Sequence, residues 1–239
     1  MTPRKKPRKK PRILKADLHI HTARSGDSDI SALDVIAHAR TEGLDIVGVT
    51  DHNTTKGATE TWKLAKKESP ELTVLIGQEV RSNAGEIIVF GVDKDLPKKI
   101  PLEEVCKQAK EMGGFIVVPH PFDRLREGIC NRMIDILPYI DAVEVLNAKS
   151  IWKRFNKKAR EFAEEHGLPM VAGSDAHIPQ YIGSAYTLIE WNKTGKPKEK
   201  DIYAAIKARK TSVSGNVVGL RGAGFMARIR KLTKKLRRV

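Results

Sequence analysis

Phe115-Ile116-Val117-Val118 is apolar at every position, and His120 follows two residues later. A strand without a polar face is buried on both sides, which is the mark of a parallel sheet covered by helices. Working outward, short β-rich runs alternate with helical ones. Pro101 opens a helix with Glu103 and Glu104 in its first turn, where negative charge suits the helix dipole, and Gly113-Gly114 ends it. Strands are expected over 13–20, 45–50, 72–76 and 86–92 upstream, and over 142–146, 170–172 and 185–189 downstream. Ser31 caps a helix that runs to Glu42 and stops at Gly43; a helix over 58–68 is closed by Pro70, and another covers 150–166. This alternation gives an α/β class with a parallel sheet, either a closed barrel or an open doubly wound sheet. Periodicity does not choose between them.

At 239 residues, 40% hydrophobic and 31% charged, the chain can bury one barrel-sized core. No apolar stretch approaches the roughly 20 residues that cross a bilayer, and the basic start leads into no signal-peptide apolar region, so a cytoplasmic protein is expected. Two cysteines, Cys106 and Cys130, argue against a disulfide framework and read as small buried hydrophobes.

The net charge of +15 resembles a nucleic-acid footprint until it is located. Residues 1–15 and 221–239 each carry eight Lys/Arg and no acid, leaving 28 basic against 29 acidic residues over 16–220. The expected organisation is a disordered basic arm over 1–12, a globular domain over 13–215 and a basic tail over 216–239. In that tail Phe225, Ile229, Leu232 and Leu236 form the stripe of an amphipathic helix. Arg4, Lys5, Lys6, Arg8, Lys9, Lys10, Arg237 and Arg238 are candidate contacts to an RNA or DNA backbone. Solvated ends and attachment to an acidic surface are the other readings of the tails.

Ligand-type residues fall at one end of the expected strands. His19 and His21 close the first, Asp51 and His52 follow the second, Glu79 follows the third, His120 ends the Phe115 run, and Asp175 and His177 follow the 170–172 strand. Carboxyl ends of parallel strands converge, so five of the seven histidines point to one mouth. Imidazole and carboxylate suit divalent ions of hard to borderline character, and no thiolate competes, which excludes a zinc finger. His-x-His on a strand puts both rings on one face.

Asp17-Leu18-His19-Ile20-His21-Thr22, Thr50-Asp51-His52-Asn53-Thr54, Gly77-Gln78-Glu79, Pro119-His120-Pro121 and Gly173-Ser174-Asp175-Ala176-His177 resemble the successive motifs of the PHP (polymerase and histidinol phosphatase) family, in order and over residues 13–215. The resemblance implies a distorted seven-stranded TIM-like (β/α) barrel, two to three divalent ions (Mn, Zn or Fe) and hydrolysis of phosphate esters. By the same resemblance His19, His21, Glu79 and Asp175 hold one ion, Glu79 bridges to a second that is also bound by His120, and Asp27, His52 and His177 hold a third. Asp29 competes locally with Asp27. Where many relatives have a histidine after the glycine that opens the next strand, this chain has Glu86 after Gly85, a carboxylate that can replace imidazole as ligand. Hydroxide generated between adjacent dications would attack phosphorus.

Asp51, or another carboxylate behind the ligands, would orient a ligand histidine; stabilising its own loop is the alternative role for Asp51. Arg81 and Arg126 are candidate catalytic phosphate clamps, and Arg124 and Asn147 candidate substrate contacts. His38 and His166 read as structural, Trp62, Trp152 and Trp191 as packing residues, and Gly26 and Gly57 as turn glycines. The leading function is hydrolysis of a nucleotide or small phosphorylated metabolite. The alternatives are a nuclease or exonuclease whose tails clamp RNA or DNA, a non-catalytic nucleic-acid-binding protein, and an amidohydrolase-like enzyme. No lysine at an expected strand end offers the carbamylated bridge of that last class.

Overall fold

A computed structural model describes residues 11–218; the tail assignments beyond those bounds lie outside the described residues. Nine strands form one sheet: β1 (Arg12–Ile20), β2 (Ile46–Val49), β3 (Thr73–Arg81), β4 (Glu86–Phe90), β5 (Phe115–Val118), β6 (Ala142–Asn147), β7 (Met170–Gly173), β8 (Ala185–Trp191) and β9 (Thr211–Gly215). Five helices pack around it: α1 (Ala32–Thr41), α2 (Lys56–Glu68), α3 (Leu102–Glu111), α4 (Lys153–Glu165) and α5 (Glu199–Lys207). β1 starts at Arg12, a residue assigned from sequence to the arm. Arg12 pairs with Trp191, and its guanidinium meets Asp45.

The sheet runs β7-β6-β5-β4-β3-β2-β1-β8-β9 and curls until its ends approach. Asp175 donates its backbone N–H to His19 O (3.0 Å or less, at 2.7 Å), and His21 N donates to Ala176 O at 3.0 Å, so the segment after β7 bonds the end of β1 and nearly closes the barrel. The expected parallel sheet holds within β1-β2-β3 and within β5-β6-β7. It fails at β4, which is antiparallel to both neighbours, and at β8 and β9. The reason at β4 is length. β3 continues to Arg81, past the residue 76 expected from apolarity, and only 82–85 connect it to β4. A parallel crossover needs a dozen residues or more, so this connection can only be a hairpin. β9 was not expected at all; it adds to the eight strands expected from the sequence and makes nine among the described residues, where the resemblance implied seven.

The interior of the barrel is apolar and drawn from eight strands. Leu14, Ala16 and Leu18 of β1 meet Ile46, Leu75, Ile88, Phe90, Val117, Ala142, Val171 and Ile189. α5 plugs the end where the parallel strands begin: Ile202 and Ile206 join this core, and Tyr203 stacks on Phe115 at 4.4 Å. The opposite end therefore remains for chemistry. α1 and α2 cover the outer face of β1–β3, while α3, the 3-10 segment Cys130–Tyr139 and α4 cover β4–β6. α1 begins as expected at Ser31, which forms a reciprocal capping box with Asp34. Cys106 is buried on α3, and burial pushes its thiol up to about 12. No helix among the described residues is long and apolar enough to cross a membrane.

Candidate metal centre

Two register shifts shape the open end. One extra residue in β1 between Asp17 and Ile20 lets Leu18 and His19 both face inward. A second shift, between Glu144 and Leu146 in β6, brings Glu144 and Asn147 to the same place although they are three residues apart. Bulges of this kind re-aim side chains where a strand meets a site. His120 (φ 27°) and Asp175 (φ 53°) both hold left-handed backbone conformations, strain of a sort concentrated at functional sites. Gly173 is required by close approach: a Cβ there would lie 2.3 Å from His19 Cβ and 2.8 Å from Glu144 Oε1.

The structure brings all nine sequence-predicted ligands together. His19 Nε2 and His21 Nε2 face each other at 3.0 Å, with Glu79 carboxylate oxygens 3.4 Å from each and Asp175 Oδ1 at 3.8 and 3.6 Å. His120 Nε2 lies 3.1 Å from Glu79 Oε1 and 3.9 Å from Glu86 Oε2. His52 Nδ1 lies 3.0 Å from Glu79 Oε2 and 3.3 Å from Glu86 Oε1. Asp27 Oδ2 lies 3.3 Å from His177 Nε2 and 3.4 Å from His52 Nε2. The donor atoms fall into four overlapping groups: His21, Asp27, His52 and His177; His19, Glu79 and His120; His19, His21 and Asp175; and His52, Glu79 and Glu86. Glu79, expected after a strand, sits within β3, whose added length carries it into the mouth. Asp29 joins none of the groups.

These residues fit divalent ions. Two imidazoles bonded to one ion at about 2.0–2.1 Å stand about 3 Å apart, as Nε2 of His19 and His21 do. Their other nitrogens are engaged from behind: His19 Nδ1 meets Glu144 Oε1 at 3.0 Å and His21 Nδ1 meets Ser25 Oγ at 2.9 Å, which turns the Nε2 lone pairs forward. Nδ1 of His120 is buried without a hydrogen bond, and Nδ1 of His52, although 3.0 Å from Glu79 Oε2, makes no aligned one. Burial and Glu79 push Glu86 up to about 8. Burial opposes protonation of His52, yet Asp27, Glu79 and Glu86 outweigh it and raise that imidazole to about 10. Likewise Asp175, Glu144 and Glu79 overcome burial at His19 and raise it, whereas burial and His177 lower His21. Buried carboxylates and imidazoles packed this closely are the load a dication relieves.

The remaining candidates divide. Asp51 is fully buried and does not face the cleft: Oδ1 accepts from Thr22 N (2.6 Å) and Oδ2 from Thr22 Oγ1 (2.7 Å), so it pins the chain after His21. Of its two sequence roles, the loop is the one the contacts support. Gly57 is no turn glycine; it lies in α2 because a Cβ would sit 1.9 Å from Asp51 Oδ2. Arg81 lines the cleft, bonded to Glu86 Oε1 at 2.8 Å and near His52 Nε2 at 3.2 Å. Arg126 lines it too, with one nitrogen on Asn147 Oδ1 (3.0 Å) and another on Asp175 Oδ2. Arg124 is exposed and lies outside the cleft lining, because the 3-10 turn Arg124–Arg126 points the two arginines different ways. Asn147, expected to touch substrate, is buried; its amide nitrogen donates to Glu144 and Asp175, and its oxygen accepts from Arg126 and Lys149 N.

Sequence reading missed four participants. Glu144 holds His19 Nδ1 and the His120 backbone N–H (2.8 Å); a lone acid in an otherwise apolar strand was the available signal. Asp17 joins β1 to the segment after β7 by accepting from Ser174 N (2.9 Å) and Gly183 N (2.8 Å), and burial pushes its carboxyl up to about 6. Ser25 has been noted. Lys149 Nζ stands 3.4 Å from Asp175 Oδ1 and 3.1 Å from the His177 ring nitrogens, so a lysine reaches the site from the connection beyond β6, a place the sequence reading of strand ends did not cover. Burial opposes ionisation of Asp175, but Arg126, Lys149, His19 and His177 hold its carboxyl well below the usual range.

Residues 153–211, from α4 to β9, match the family described as PHP-associated. Uncharacterized protein MJ1587 of Methanocaldococcus jannaschii is 38% identical over 145 residues, 56% of this chain and 82% of that protein. Among solved structures, a two-domain protein from Bacteroides vulgatus containing a predicted PHP-like metal-dependent phosphoesterase matches with a TM-score of 0.72 at 17% identity, over 89% of this chain and 70% of the other. The lesion-specific endonuclease PfuEndoQ from Pyrococcus furiosus matches with a TM-score of 0.61 at 16% identity, over 84% of this chain and 58% of the other. With its motifs in order on a barrel-like α/β fold and kinship to MJ1587, the chain belongs to the PHP family.

Proposed function

We propose that this chain is a divalent-metal-dependent phosphoesterase that hydrolyses a nucleotide or small phosphorylated metabolite. The observation that carries the reading is the convergence of His19, His21, His52, His120, His177, Asp27, Glu79, Glu86 and Asp175 into four overlapping donor groups in one cleft. Two to three ions of Mn, Zn or Fe type fit this set; when bound they lower the pKa of water and neutralise phosphate oxygens. The protein's own contribution is orientation. Glu144 and Ser25 fix the rings of His19 and His21, and Arg126 and Lys149 present cations to the two oxygens of Asp175, Arg126 to Oδ2 and Lys149 to Oδ1. Both cations now lean on that carboxylate, which leaves their remaining N–H donors for phosphate oxygens. Lys149, so engaged, serves the phosphoester reading better than an amidohydrolase-like one, whose bridging lysine needs a neutral amine.

Metal analysis of purified protein, followed by turnover of mononucleotides, an aryl phosphate and short oligonucleotides with and without Mn²⁺, Zn²⁺ or Fe²⁺, tests the reading. Bound metal and metal-dependent cleavage are expected. A chain that holds no metal and cleaves nothing in the panel is not a phosphoesterase. The fold shared with an endonuclease and the fifteen cations over 1–12 and 216–239 support nuclease activity as the second reading. In that case oligonucleotide turnover falls steeply with salt while aryl phosphate turnover does not.

A further inference from the structure

Trp152, read from sequence as a packing residue, is 44% exposed. It directly precedes α4, its ring packs edge to face against Phe155 at 5.3 Å, and the Arg154 guanidinium lies 4.6 Å from the Trp152 ring centre and 5.4 Å from that of Phe155. α4 is anchored elsewhere, through Ala159, Ala163 and Phe162, so the fold does not need an indole at its start. Three residues separate Trp152 from Lys149, a span of at most about 11 Å, and Lys149 touches Asp175 and His177. On the neighbouring loop, after β5, Leu125 is 67% exposed and lines the cleft. The two loops meet at Asn147 Oδ1, which accepts from both Arg126 and the Lys149 backbone. Each of the two loops that carry the cationic rim thus also exposes a large apolar side chain.

Away from the mouth, residues 153–160 carry five cations and no acid. Cations at the positive end of a helix dipole oppose helix stability, and α4 has no acid in its first turn to offset them. Among the described residues the ion pair formed by this row is Lys157 with Glu161 at 3.5 Å, between side chains 76% and 56% exposed. A planar aromatic platform that leads into a row of cations suits a chain of stacked bases and phosphates. A small phosphorylated metabolite would use the cleft and leave both features idle; an acidic peptide would use the cations and leave the indole idle.

We propose that Trp152, Phe155 and Arg154 form a base-stacking platform and that Lys153, Lys157 and Lys158 track the backbone of a single-stranded polynucleotide whose scissile phosphate enters the cleft. This assignment rests on the phosphoesterase reading for its last clause. Binding of fluorescein-labelled dT10 to the full, metal-free chain tests it by anisotropy. Trp152→Ala is expected to weaken binding about tenfold and Trp152→Phe to restore most of it. Replacing Lys153, Lys157 and Lys158 by Ala is expected to reduce the slope of log K against log salt by about 2. AMP is expected to displace the oligonucleotide poorly. Wild-type affinity in Trp152→Ala, or AMP that competes as well as unlabelled dT10, overturns the platform. Because binding is read without turnover, Trp152-dependent binding by a chain that cleaves no phosphoester keeps the platform and sinks the enzyme reading. Aryl phosphate turnover with Trp152-independent binding does the reverse.

Discussion

The histidines of the cleft act through the groups that hold them from behind. Glu144 is the most connected of these: it engages His19 Nδ1, the His120 backbone N–H and the Asn147 amide. Glu144→Gln keeps the shape and removes the charge that makes His19 Nε2 a strong donor. Metal affinity is expected to fall about 10- to 100-fold, read by titrating the metal-free protein with Zn²⁺ or Mn²⁺, with some loss of unfolding temperature because the new amide nitrogen is set against a buried N–H donor. A variant that binds metal as tightly as wild type would remove Glu144 from the site. Gly173→Ala acts by volume alone, since the added methyl would lie 2.3 Å from His19 Cβ. Overpacking of this kind costs about 1–3 kcal/mol, so chemical denaturation should show that loss together with weakened metal binding.

Elements carry different amounts of their own explanation. α1 is locally specified, and Ser31→Ala is expected to cost about 1 kcal/mol of stability in urea unfolding while leaving metal affinity unchanged, because the cap lies outside the cleft. The ends of β1, β2, β5 and β7 were equally legible: each is a short apolar run followed by His or Asp, and a parallel strand end can place such residues only at the mouth. The antiparallel direction of β4 was not legible, because polar and ligand residues in 77–81 hid the last five residues of β3 and made the hairpin look like a crossover. Glu144 escaped because the register shift in β6 breaks the two-residue alternation by which inward residues are recognised. Lys149 lies in a connection with no period to read, and only the fold brings it to Asp175.

For the whole molecule, the cleft links metal, protons and stability. In the metal-free protein His52 is raised to about 10, Glu86 to about 8, and Asp17 and Asp51 to about 6, each by the causes given above or, for Asp51, by burial. A group with a raised folded pKa contributes most below its unfolded value and loses that contribution as pH rises through the folded one. Asp17 and Asp51 therefore cost stability between about pH 4 and 6, Glu86 between about 4.5 and 8, and His52 from about 6.5 to 10. All four act in the same direction. The carboxylates held low, Asp27, Glu79 and Asp175, titrate in acid and do not oppose the trend near neutrality, whereas His21, held low by burial and His177, opposes it up to about pH 6.5 and His19, held high, reinforces it above that. Metal-free protein is thus expected to unfold at progressively lower temperature from pH 6 to pH 9. Bound metal needs neutral imidazole and ionised carboxylate, so its binding releases protons and strengthens as pH rises. The loaded protein should gain stability over the same interval, and the gap between the two melting curves should widen with pH. Calorimetry in buffers of different ionisation enthalpy counts the protons released; equal melting temperatures with and without chelator at pH 9 would rule out an occupied site.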